Sequence, residues 1–168
     1  MQRRSLLKLG LVSGAVLALA GGAAVLLRPG LDQGRLTPAA RALFASLGRA
    51  ILQGTLPTET EAQARALQGL VERVDAVALN LPAHVQAELS QLVGLLCTAP
   101  GRLALAGLAS DWPDASGDEV RAALDGMRYS TLAVRQQAYH ALHEIVGGAY
   151  FSDESTWKTL GYPGPLVL

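Results

Sequence analysis

The chain has 168 residues, and its 14 basic and 14 acidic side chains cancel at pH 7. The cancellation hides an asymmetry: residues 1–30 hold four basic residues (Arg3, Arg4, Lys8, Arg28) and no acid, while residues 31–168 hold ten basic and fourteen acidic ones, a formal charge of −4. About 138 residues suffice for one domain with its own core, and their acidic balance argues against nucleic acid as a partner, since neutralising phosphates needs a basic surface.

The N-terminal element comes first in chain order. Arg3-Arg4-Ser5-Leu6-Leu7-Lys8 resembles a twin-arginine export signal, with the arginine pair, an apolar pair and a following lysine; Gln2 stands where that pattern usually has Ser or Thr. Residues 9–27 then run nineteen positions without a charge, diluted by Gly10, Gly14, Gly21 and Gly22, and end at Arg28. Ala18-Leu19-Ala20 supplies an A-x-A cleavage site after a mostly apolar stretch. The full run at 1.5 Å per residue reaches roughly 28 Å, enough to cross a bilayer core. Two outcomes therefore stand open: residues 1–30 are a removed signal peptide, or residues 9–27 stay as an N-terminal anchor helix. Both place the body, residues 31–168, in the periplasm, free or facing it from the inner membrane.

Residues 29–36 read as a linker. Thr37-Pro38 offers an N-cap and a first-turn proline, and Leu43, Phe44, Leu47, Ala50 and Ile51 recur at helical spacing up to Gly54. Leu56–Glu61 is a turn into a second helix, whose acidic start suits the helix dipole; its apolar stripe is Leu67, Leu70, Val71, Val74 and Val77. Leu81-Pro82 breaks it. A third helix turns Val85, Leu89, Leu92, Val93 and Leu96 inward, and Ala99-Pro100-Gly101 interrupts before a short helix around Leu103–Leu108. Residues 111–117 form a loop; helices follow near Asp118–Met127 and Thr131–Val146, with Gly147-Gly148 marking the end of the last. No stretch alternates with period two long enough for a strand. The expected fold is all-α, a bundle of five or six helices in one domain, closed by an irregular tail at residues 151–168.

Chemistry-bearing motifs are few. The single cysteine, Cys97, allows no intrachain disulfide; within the apolar run Leu92–Cys97 it reads as a buried, inert thiol, with a reactive thiol as the alternative. His140, His143 and Glu144 share one face of the last helix, which makes a small metal site or metalloenzyme the alternative reading, although the pattern is neither H-E-x-x-H nor H-x-x-E-H. Dinucleotide, P-loop and C-x-x-C motifs are missing, and no cofactor of its own is expected. The most distinctive stretch is Tyr150 to Pro165, which puts four of the chain's eight aromatics into thirteen residues: Tyr150, Phe151, Trp157 and Tyr162. With Pro163 following, this segment reads as an extended tail whose aromatics anchor a partner or fold back over the chain's own core.

Arg135, Tyr139 and His143 on one helix, then Tyr150-Phe151, Trp157 and the closing Gly161-Tyr162-Pro163-Gly164-Pro165, resemble the gluconate 2-dehydrogenase subunit 3 family. The resemblance is most specific over residues 135–165. It implies a small accessory subunit, without chemistry of its own, beside a large flavin-dependent dehydrogenase of the glucose-methanol-choline type. The twin-arginine route carries proteins already folded, commonly around a cofactor. A chain with such a signal and no cofactor motif fits an escort: it would engage the twin-arginine translocase on behalf of a loaded partner.

Overall fold

The computed structural model describes residues 28–162. The signal residues Arg3, Arg4, Leu6, Leu7 and Lys8, the apolar run 9–27 with its A-x-A site, and Pro163 to Leu168 lie outside the described residues.

The segment expected to be a linker is a small hairpin. Strands β1 (Leu31–Asp32) and β2 (Arg35–Leu36) pair antiparallel, Leu31 opposite Leu36 and Asp32 opposite Arg35. Gln33 and Gly34 both take positive φ, +49° and +81°, which gives the twist that two-residue hairpin turns require. The hairpin exists because both leucines are buried and because Asp75, on a helix behind it, accepts the Leu36 N–H at 2.6 Å and pairs with Arg35 and Arg41. Strands of two residues leave no alternation to detect.

Helix α1 (Pro38–Ile51) starts as expected: the Thr37 hydroxyl accepts the Ala40 N–H, and Pro38 fills the first turn. It buries Leu43, Phe44 and Leu47 completely and is the central element of the core. Helix α2 (Thr60–Leu79) is capped by Glu59, whose carboxylate accepts the N–H groups of Glu61 and Ala62; those two bonds hold its carboxyl below the usual range. Its buried row runs Leu70, Val71, Val74 and Ala78, so Val77, expected inward, is 42% exposed. The row shifts because Asp75 must face the hairpin, which turns position 77 outward.

Helix α3 (Ala83–Leu96) meets α4 (Ala99–Ala106) at 98°. Pro100 and Gly101 do not precede α4 but form its first turn, behind the Thr98 cap, where a missing N–H costs nothing. Among the described residues no single helix is long and apolar enough to cross a membrane. Helix α4 ends on Gly107 in the left-handed conformation, φ +70°. The loop that follows carries Trp112, 1% exposed, whose indole N–H donates to the Leu96 carbonyl at 2.8 Å while its own carbonyl accepts from Ser46. Arg102 reaches Asp111 from below the same loop.

Helix α5 (Gly117–Arg128) opens with a full capping box between Ser116 and Glu119 and closes on Arg128, a cation at the negative end of the helix dipole. Helix α6 (Ala133–Phe151) runs straight through Gly147-Gly148. Two glycines weaken a helix by about 1 kcal/mol each; burial of Val146, Ala149 and Tyr150 outweighs that. Helices α2, α5 and α6 pack around α1, with the α3–α4 pair and the hairpin beside them, and one continuous core cluster links all six helices. The all-α expectation thus holds for the described residues, with six helices.

Candidate functional site

The C-terminal segment is built onto the end of α6. A 3-10 helix follows at Glu154–Leu160 and doubles the chain back. Arg73 of α2 clamps it: its Nε donates to the Ala149 carbonyl at 2.7 Å and its guanidinium pairs with Asp153 at 3.1 Å. Asp153 also accepts the hydroxyl and the N–H of Ser155, and these bonds first, with Arg73 adding, hold its carboxyl below the usual range. Thr156 is buried, its hydroxyl donating to the Asp153 carbonyl.

This arrangement sorts the sequence-predicted contact residues. Tyr150 is 3% exposed, its hydroxyl donating to the Thr55 carbonyl at 3.3 Å, and burial pushes its phenol up. It is a core residue, because the last turn of α6 points it between α1 and α2. Phe151 packs partly buried against the core, its ring 5.2 Å from that of Tyr150. Trp157 is half-buried, with its indole N–H on the Phe151 carbonyl, and its ring meets Tyr162 edge-on at 5.4 Å. Tyr162 is 49% exposed. The tail is therefore folded and braced, not extended: residues 151–162 cap the body and still present Phe151, Trp157 and Tyr162 on its surface. Pro163 lies outside the described residues.

His140, His143 and Glu144 are all exposed on α6. What the structure brings to the two histidines is Tyr139, with ring centroids at 5.3 Å and 5.5 Å, not further ligands. Among the described residues no group of three or more His, Cys, Asp or Glu side chains is placed to hold a metal ion.

A surface that the sequence reading passed over lies at the α5–α6 corner. The Arg128 guanidinium sits over the ring of Tyr129 at 5.2 Å and over that of Tyr139 at 5.9 Å. Tyr129 is 72% exposed, and Leu132, which opens α6, is also exposed. The available signal was a tyrosine and a leucine left just outside two helices, where no periodicity assigns them inward.

The chain enters the body through a tight fit. The Gly30 N–H donates to the Ser90 carbonyl, and the Leu31 N–H to the Ser90 hydroxyl. Gly94 of α3 packs so closely under this segment that a Cβ there would lie 2.5 Å from the Arg28 carbonyl oxygen. A half-open groove of about 730 Å³ adjoins the entry, walled by Arg28, Pro29, Pro38, Gly94, Cys97 and Thr98. Cys97 is half-buried, and burial pushes its thiol up to about 11, which keeps it protonated at neutral pH.

The described residues thus define a compact all-α domain with a braced aromatic C-terminal cap and a tightly seated N-terminal entry. No family model, no curated protein and no solved structure matches the chain.

Proposed function

We propose that the chain is a non-catalytic accessory subunit of a flavin-dependent dehydrogenase of the glucose-methanol-choline type. Its arginine-pair signal takes the larger, flavin-loaded enzyme through the twin-arginine translocase, and its helical body stabilises that enzyme in the periplasm. The observation that carries this reading is the surface at residues 151–162: a folded cap, braced by Arg73 and Asp153, that leaves Tyr162 exposed and Phe151 and Trp157 part-exposed beside it. Aromatics with little rotamer freedom left to lose make efficient interface anchors. Phe151, Trp157 and Tyr162, with Pro163 next in the chain, are the proposed contacts, and Tyr150 supports them from within the core. The resemblance over residues 135–165 and the export signal point the same way.

Purification of a C-terminally tagged chain from the periplasm tests it. A stoichiometric partner of several hundred residues with flavin absorption is the expected result, and replacing Arg3 and Arg4 by lysine strands both proteins in the cytoplasm. A lone, colourless chain refutes the proposal. The mass of the exported form also tells whether residues 9–27 are removed or retained as an anchor.

A further inference from the structure

Resting on the accessory-subunit reading, we infer that the Arg128–Tyr129–Tyr139 corner is a second contact surface, one that receives an acidic segment of the partner enzyme. Of the nine arginines in residues 31–168, six pair with carboxylates, while Arg49 donates to the Ser46 hydroxyl and Arg135 to the Leu105 carbonyl. Arg128 forms no ion pair among the described residues, although residues 31–168 carry four more acids than bases. Its guanidinium instead lies over two tyrosine rings, the inner one of which also touches His140 and His143. With no hydrogen bond or ion pair among the described residues, this guanidinium keeps its fork of N–H donors for a planar, bidentate acceptor, and a carboxylate is the acceptor that matches it.

Around that point Tyr129 and Leu132 stand exposed, supplying apolar area on which the backbone of a bound segment can rest. Tyrosine beside arginine is also the composition that concentrates binding energy in interfaces. The occupant is a short acidic peptide segment and not an extended polyanion, because one unpaired guanidinium matches one carboxylate, whereas nucleic acid or an anionic lipid surface needs a broad basic patch that a body of net charge −4 lacks. The corner lies on the α5–α6 connection, far along α6 from the 151–162 cap, so the two surfaces are separable by mutation.

The test uses the full chain together with its co-purifying flavoprotein. A photo-crosslinking phenylalanine analogue at position 129 is expected to join to a flavoprotein peptide containing Asp or Glu. Arg128→Glu is expected to weaken retention of the enzyme about tenfold, and converting the crosslinked acid to lysine restores it. Thermal stability of the variant falls by only a few degrees, the share of a cation lost from the C-terminal end of α5 and from two tyrosine rings, and Arg128→Gln, which places no anion there, weakens retention with a still smaller change in melting. A crosslink to a second copy of this chain, a crosslinked peptide without an acid, or full retention by Arg128→Glu overturns the inference while leaving the accessory reading intact. Absence of any co-purifying flavoprotein overturns both.

Discussion

Replacing Tyr150 by alanine separates a core role from a surface role in the aromatic tail. The side chain is 3% exposed, lies in the main core cluster, and ends in a hydrogen bond to the Thr55 carbonyl. Truncating a buried aromatic to alanine costs about 3–5 kcal/mol, the lost transfer energy plus the cavity left behind. For a domain of this size, 1 kcal/mol moves the melting temperature by roughly 3–5 °C, so Tyr150→Ala lowers it by roughly 10–25 °C. Tyr150→Phe removes only the hydroxyl, whose bond is long, and costs about 0.5–1.5 kcal/mol. Tyr162→Ala, at an exposed ring, changes stability by no more than about 0.5 kcal/mol, yet weakens partner retention if the proposed contact holds. Thermal melts followed by circular dichroism at 222 nm give all three values. A Tyr150→Ala protein that melts within about 2 °C of wild type refutes the placement of this ring in the core.

The other expectations concern the clamps around that core. Asp153 has its carboxyl held low in the folded chain, so its contribution is complete above the ordinary carboxylate value of about 4 and drops out as pH falls through the lower folded value. Urea midpoints measured between pH 2 and pH 6 are therefore expected to fall less steeply with acid in Asp153→Asn than in wild type. Trp112→Phe keeps most of the buried ring but leaves the Leu96 carbonyl without its donor, for a loss of about 1–3 kcal/mol in chemical denaturation. Gly94→Val puts a side chain where the Arg28 carbonyl lies, costs about 1–3 kcal/mol, and exposes the Arg35–Leu36 bond to faster tryptic cleavage. Unchanged cleavage would contradict the close fit. Cys97 is expected to react with maleimide far more slowly than a free thiol at pH 7.

Elements whose signals are local were readable from the residues. Thr37-Pro38 announces α1 by its own capping chemistry, and Leu43, Phe44 and Leu47 repeat at a spacing that only a helix turns to one side. The acidic start of α5 likewise carries its own cap. What was not readable depends on distant partners. The hairpin at 31–36 forms because Asp75, some forty residues on, supplies its acceptor. Trp112 sits in a stretch with every mark of a loop and is buried because the α3–α4 corner offers a carbonyl to its indole. Gly147-Gly148 has the composition of a helix end, and only the burial of Val146, Ala149 and Tyr150 carries α6 past it. The tail aromatics were recognised as a group but not divided, since nothing in their spacing separates the one facing inward from those facing out. Arg128 and Tyr139 stand eleven residues apart across a helix corner, and no periodic pattern joins them.

The seating of residues 28–31 on α3 has a mechanical meaning. A pull on the N-terminal segment is not absorbed by slack chain, because Gly30 and Leu31 are tied to Ser90 and wedged over Gly94. The load passes directly into α3 and, through the hairpin and Asp75, into α2. A force applied at Arg28 therefore moves the helical body as one piece.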